Sequence, residues 1–422
     1  MTIKADRLIG RAPFFYGWII LAGGTVGIVF TSPGQTAVVS VFVEHLIRDL
    51  EISRSLVSTL YSGGSIAAAL LLPVIGSRID RHGPRLMMAV TAALLAAFCV
   101  FMSQVQGAAM LFIGFWGLRL FGQGSLSLAS GTAINLWWVR RRGAILGISG
   151  FIAAILMNGF FPPWIQYLNR QFDWRTAYTI LGVAVAAVVI PAALLFIRNR
   201  PEAYGLEPDG QKVENPVLQD DYVEVHWTRP QALRSSAFWL ISGSYMSISM
   251  LFTGLAFHLV SILGDGGIPE EMVGVVFVAS AISTALFTVL GGYLSDRIRL
   301  RYLIAIAQAG MGIALIVAST LSSQLHAVGF GILLGSVGGI GQVVQAVSYA
   351  NYFGRRHLGS IAGFATTMMV FAAALGPMPM GIARDLLGSY GRFLPGLAII
   401  PFVIGLIVLL KLKKPQLAQS ST

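Results

Sequence analysis

The chain has 422 residues, of which 55% are hydrophobic and 11% charged, and its formal net charge is +11. A soluble domain carries about 25% charged residues, so a soluble enzyme or scaffold is excluded; the apolar residues fall in runs long enough to cross a bilayer as helices. The basic residues sit between these runs and form no continuous face, which argues against nucleic acid, and the single cysteine, Cys99, excludes an intramolecular disulfide and a zinc-type cluster.

Lys4, Arg7 and Arg11 precede the first apolar run, as in a signal peptide. No small-residue cleavage site follows a short apolar core, so the run is expected to stay as a first span over 14–43. It contains TSPGQT, Thr31 to Thr36, where Pro33 and Gly34 break the backbone ladder and Gln35 is read as facing a cavity. The second span, 55–79, carries Tyr61 and ends in a charged turn, GSRIDRHGPR, with Asp80, Arg81 and Arg85. The third span, 84–104, holds Cys99, read as buried and inert. The fourth, 108–138, holds Gln123, Asn135 and the only basic residue expected inside a span, Arg119. Burying an arginine at that depth costs at least about 2.5–3.5 kcal/mol, so it needs a partner or water. Two readings are open: an anion-binding or proton-coupling site, or a support that donates to backbone carbonyls near the first-span kink. The fifth and sixth spans, 143–168 and 174–197, add Asn158.

Residues 198–235 form the only long polar segment, with seven carboxylates, and read as a linker with room for a short amphipathic helix. The expected domains are therefore a six-helix bundle over 1–197, the linker 198–235, and a second bundle over 236–422. The seventh span, 236–263, carries Tyr245 and, near its far end, His258, which is either a proton switch or a solvated or capping histidine. The eighth, 271–295, ends in a second charged turn, GYLSDRIRLR, with Asp296, Arg297 and Arg301. The ninth span is 302–321, and the tenth, 325–353, carries Gln342, Gln345, Ser348 and Tyr349. Its cluster GSVGGIG follows no strand and is not a phosphate loop; Gly335 and Gly339 instead allow close helix packing. The eleventh and twelfth spans are 358–383 and 391–411. Tyr61, Gln123, Asn158, Tyr245, Gln342 and Gln345 are candidate substrate contacts; the competing reading is interhelical ties of about 0.6 kcal/mol each. No metal cluster, Walker motif or cofactor motif occurs, so no enzyme activity and no cofactor are expected.

The two charged turns lie 216 residues apart in register: Gly76 with Gly292, Asp80 with Asp296, Arg81 with Arg297, Arg85 with Arg301. Arg142 and Arg356, and Arg175 and Arg392, repeat at 214 and 217 residues. The chain thus reads as two parallel six-helix repeats with a transport path between them. Even-numbered connections and the termini hold 22 of the 29 Lys and Arg residues, which places both termini and the linker in the cytoplasm. The Asp-Arg turns are expected to be conformational gates there.

These turns, with RLFGQG (Arg119 to Gly124) and ALGPMPMG (374–381), resemble the signature motifs of the major facilitator superfamily. FYGWII (15–20), DWRTAY (173–178), RPEAYGLEPDG (200–210), FGRRHLGSIAG (353–363) and RDLLGSY (384–390) resemble its bacterial monocarboxylate and oxalate/formate transporter branch. The resemblance implies an all-α fold of twelve transmembrane helices in two pseudo-repeats. It further implies a monomeric, inner-membrane secondary transporter that moves a small organic anion by alternating access, with the proton as coupling ion. Carriers of that branch typically hold the carboxylate with a cation in the eighth span; here that span has no Arg or Lys. The alternatives are a carrier of a neutral or weakly polar solute and, from another class, a membrane sensor signalling through the linker.

Overall fold

The computed structural model describes residues 14–210, 226–269 and 271–414; the side chains of a few helical positions, Asn158 among them, also lie outside the described residues, as does the linker stretch 211–225. Among the described residues the chain is helical with no strand. In a bilayer every backbone group must be satisfied within its own segment, and apolar runs of about 20 residues meet that condition as helices. Among the described residues, eleven helices are long and apolar enough to cross a membrane. The expected fourth span is not one of the eleven, although it is helical from Ala108 to Trp137. Arg119 and Gln123 lower its hydropathy, so composition alone undercounts it.

Several spans are broken where their sequence dictates. The first stops at Val29, makes a 3-10 turn over Ser32–Gly34, and resumes as Thr36–Leu50, past the expected end. The fourth and fifth contain π-helical turns, Leu118–Leu126 and Ile155–Phe160. The seventh breaks at His258, between Ser236–Phe257 and Leu259–Asp265. The eleventh breaks between Leu358–Leu375 and Pro377–Leu387, because Pro377 has no N–H to give the preceding turn. Of the linker, Pro201–Tyr204 and Pro208–Gly210 are 3-10 turns and Arg229–Arg234 is one short helix.

The chain divides into two compact units. The first comprises Met1–Arg142, Ile152–His226 and Arg355–Thr367; the second comprises Gly143–Phe151, Trp227–Gly354 and Met368–Thr422. Thus the start of the fifth span packs in the second unit and the start of the eleventh in the first. The first unit is centred on Phe42, Phe115, Trp137, Trp138, Trp174 and Tyr178, all fully buried. In the second, Met272–Ser295 packs backbone-close on Gln324–Phe353: a Cβ on Gly335 would fall 2.1 Å from the Ser280 carbonyl oxygen, and one on Gly339 2.5 Å from that of Thr284. The close face carries the polar ties, Ser283 to the Ile332 carbonyl and Thr284 to that of Gly335. The other face, with Val278, Ile282 and Leu286 each about 60% exposed, is suited to lipid.

The DWRTAY segment braces one end of the first unit. Asp173 caps Trp174–Leu195 by accepting from the Thr176 N–H at 2.7 Å. The Trp174 indole donates to Asp49 at 2.7 Å, and Arg175 donates to the Ser103 and Val105 carbonyls that end the third span. These bonds favour the charged carboxylates: the Thr176 N–H holds Asp173, and the Trp174 indole and then Arg48 hold Asp49, below the usual carboxylate range. Their stabilisation is present above the unfolded-state value of about 3.9 and is lost as pH falls through the lower folded-state values. Thermal unfolding in detergent should therefore be flat from neutral pH to about pH 4 and decline below it. Asp173→Ala should cost about 1 kcal/mol at neutral pH and flatten part of that decline.

Candidate functional site

The first candidate site grows from the kink in the first span. Gln35 is extended (ψ 146°), so the helix cannot continue through it and the Gly34 carbonyl is released from the ladder. Arg119 donates to that carbonyl through Nη1 at 3.1 Å. Gly34 is required there: a Cβ would lie 2.2 Å from the Leu118 carbonyl oxygen and 2.9 Å from the Gln123 nitrogen. The kink thus seats against the π-helical turn that carries Arg119, and such turns recur at functional sites. Thr36 and Tyr61 share a hydrogen bond of 2.8 Å, and the Arg119 guanidinium lies 5.1 Å from the centre of the Tyr61 ring. Gln35 turns back to the Thr31 hydroxyl at 3.0 Å. Gln123 is half-buried on the same turn.

The electrostatics of this cluster are incomplete. The Arg119 Nε is buried and has no hydrogen-bond partner, and among the described residues Arg119 is in no ion pair. A backbone carbonyl and the ring face and hydroxyl of Tyr61 share its charge, but none neutralises it. An anion would.

The remaining candidates separate into two places in the second unit. Tyr245 shares a hydrogen bond of 3.3 Å with Ser348, and Tyr349 one of 3.0 Å with Ser242, forming a buried polar belt between the seventh and tenth spans. Gln345 donates to the Met369 sulfur at 3.2 Å, and Gln342 is exposed. His258 lies apart from the belt. Its two ring nitrogens contact the Pro377 carbonyl at 3.0 Å and the Tyr390 hydroxyl at 2.9 Å, so it is a bonded residue at a helix break and not a solvated one. The Asn158 side chain lies outside the described residues.

The charged turns act through their aspartates. In the first unit Asp80 accepts from the Gly359 and Ser360 N–H groups, both at 2.8 Å, and so caps the eleventh span. In the second unit Asp296 accepts from Gly143 at 2.8 Å and Ala144 at 2.9 Å, capping the fifth. The partners, like the aspartates, are 216 residues apart. Backbone contact repeats too: a Cβ on Gly76 would meet the Gly359 carbonyl oxygen at 2.0 Å, and one on Gly292 that of Gly143 at 2.4 Å. The arginines do other work. Arg81 is exposed, and Arg85 donates to the Leu194 carbonyl at 2.6 Å. Arg297 and Arg301 lie 4.2 and 4.8 Å from the ring centres of Tyr293 and Tyr302. The sequence suggests Asp-Arg pairs; the structure has carboxylates on helix N-termini, where the backbone supplies free donors and a favourable dipole.

Sequence reasoning passed over the partners of these caps. Arg355, just before the eleventh span, donates to the Leu136 carbonyl at 2.5 Å and pairs with Glu202 of the linker at 2.8 Å. Asp209, also in the linker, accepts from the N–H groups of Val139, Arg140 and Arg141 at 3.0, 2.8 and 3.3 Å. RPEAYGLEPDG is therefore a docking segment with a named acidic residue for each contact.

Comparison with known proteins agrees with this architecture. The sequence profile of the Major Facilitator Superfamily matches residues 25–377 and 244–421. A probable nitrate/nitrite transporter, NarK2 of Mycobacterium tuberculosis, is 26% identical over 267 residues, 62% of this chain and only 63% of that protein's length. Monocarboxylate transporter 4 of Rattus norvegicus is 25% identical over 391 residues, 88% of this chain and 77% of that one. In fold, the chain is similar to the proton:xylose symporter XylE, with a TM-score of 0.72 at 15% identity over 94% of this chain and 96% of that one. Taken with the helical bundles and the repeated caps, these matches show that the chain belongs to the Major Facilitator Superfamily.

Proposed function

We propose that this transporter moves a small organic anion by alternating access, with a proton in symport, as a monomer in the cell (inner) membrane with both termini in the cytoplasm. The observation that carries the anion reading is Arg119: a buried guanidinium that, among the described residues, has an unpartnered Nε and no carboxylate counter-ion. A charge held at that depth needs a partner, and a carboxylate substrate supplies one through charge-assisted hydrogen bonds. The relatives named for nitrate/nitrite and for monocarboxylates carry anions, which supports the same class. Tyr61, Gln35 and Gln123 are the candidate polar contacts of the first unit, and Tyr245, Gln342 and Gln345 those of the second unit. The Asp80 and Asp296 caps serve as the gates, and the two six-helix halves as the moving bodies.

A neutral or weakly polar solute is the second reading, favoured by one observation: Met272–Ser295 carries no Lys or Arg. The two separate in proteoliposomes. Uptake of labelled lactate, pyruvate, oxalate or nitrate should be accelerated by an inward proton gradient. Folded protein that takes up none of these but does take up a sugar such as xylose would replace the anion reading with the neutral one.

A further inference from the structure

His258 has a hydrogen-bond partner on each ring nitrogen. A carbonyl oxygen only accepts, so the Nε2 facing Pro377 carries the hydrogen. Nδ1 shares a hydrogen bond with the Tyr390 hydroxyl, accepting from it when the ring is neutral and donating to it when the ring is charged. The ring spans the break in the seventh span and the break in the eleventh. Tyr390 joins it to a second pair. The Tyr390 N–H donates to Asp265 at 3.1 Å, Asp265 pairs with Arg384, and the Arg384 guanidinium lies 5.3 Å from the Tyr390 ring centre. Asp265 lies on the far side of the His258 break, Arg384 near the end of the eleventh span, and Tyr390 ahead of the twelfth. Tyr390 faces His258 directly, and Asp265 and Arg384 face Tyr390. Tyr390 is only 2% exposed, and the Asp265 and Arg384 side chains are 22% and 35% exposed.

We propose that His258 is a proton-binding site whose occupancy opens a clasp formed by His258, Tyr390, Asp265 and Arg384. This deepens the proton-symport reading and rests on it for its role in transport. A proton added at Nδ1 removes the acceptor that the Tyr390 hydroxyl uses, so that hydroxyl must turn its hydrogen elsewhere and accept instead. The cluster then changes from one anion and one cation to one anion and two cations. The added charge is separated from the Asp265–Arg384 pair by Tyr390 alone, in a partly dry site. Exposure to water relieves that excess charge, and the breaks at His258 and Gly376 give the two helices joints at which to part. Histidine is the side chain suited to this between about pH 5 and 8.

The test uses the full chain in lipid nanodiscs without substrate, followed by hydrogen exchange mass spectrometry with correction for the intrinsic chemical rate. Between about pH 7.5 and pH 5.5, wild-type amides in 258–265 and 384–392 should open at least about fivefold more. His258→Gln keeps a donor and an acceptor but does not titrate, so its opening should change less than about twofold. Tyr390→Phe removes the hydroxyl link and should be open at both pH values. A wild-type chain with no response, or either variant with a wild-type response, overturns the proposal. The outcome is independent of uptake: loss of the anion reading with the pH response intact leaves the clasp standing.

Discussion

Arg119→Gln protein reconstituted in liposomes should take up anion at least about a hundredfold more slowly than wild type, while its thermal stability holds or rises. Removing one partner of a buried charged pair costs about 3–5 kcal/mol, and each 1.4 kcal/mol is tenfold. The stability readout has the opposite sign. In this structure Arg119 has one backbone acceptor, the ring face and hydroxyl of Tyr61, and a buried Nε with no partner among the described residues. Its burial is a standing cost of about 2.5–3.5 kcal/mol or more, larger than the one backbone hydrogen bond returns. A glutamine can still donate towards the Gly34 carbonyl without carrying charge. Arg119→Lys keeps the charge but loses the planar donor set, so intermediate transport is expected. If Arg119 only supports the kink, the pattern inverts: transport survives in Arg119→Gln and the unfolding temperature drops. Uptake rate and unfolding temperature measured on one preparation decide between them.

The features legible in the sequence are those whose signal is local or periodic. Charged turns stand out in an apolar chain, and their 216-residue repeat pointed to a duplicated fold before any contact was known. TSPGQT announced a kink because proline and glycine act on their own backbone, and Gly335 and Gly339 announced a close helix pair by their spacing. What the sequence hid was the identity of partners. Asp80 meets backbone 279 and 280 residues away, and Arg355 meets Leu136 across 219 residues. An N–H group carries no side-chain signature, so these partners are not legible in the sequence. The π-helical turns have no compositional mark either, although they place Arg119. His258 read as a capping or solvated residue because its partners, Pro377 and Tyr390, come from the far end of the chain.

The two caps are equal in design but not in setting, and the inequality is testable. Asp80→Asn should loosen the start of the eleventh span more than Asp296→Asn loosens the start of the fifth. An asparagine offers one carbonyl oxygen and turns an NH2 group towards the second backbone donor. One charge-assisted bond of about 1.5–3 kcal/mol is lost, together with about 0.3–1 kcal/mol of helix-dipole stabilisation. The sum corresponds to an increase in local opening of about 20-fold or more at Gly359 and Ser360, readable as faster amide exchange. Asp80 is half-buried and Asp296 exposed, so water screens the second cap more. The start of the eleventh span is further held by the Arg355–Glu202 pair and by the Thr367 hydroxyl on the Ala69 carbonyl at 2.6 Å. Glu202→Gln should therefore add to Asp80→Asn, the double variant showing faster exchange over 355–363 than either alone. Gates that open too readily no longer couple one cycle to the next, so substrate uptake should fall in Asp80→Asn while passive exchange across the membrane persists. If Asp80→Asn and Asp296→Asn both leave amide exchange at the capped residues unchanged, the carboxylates are not latches, and the repeated turns serve topology alone.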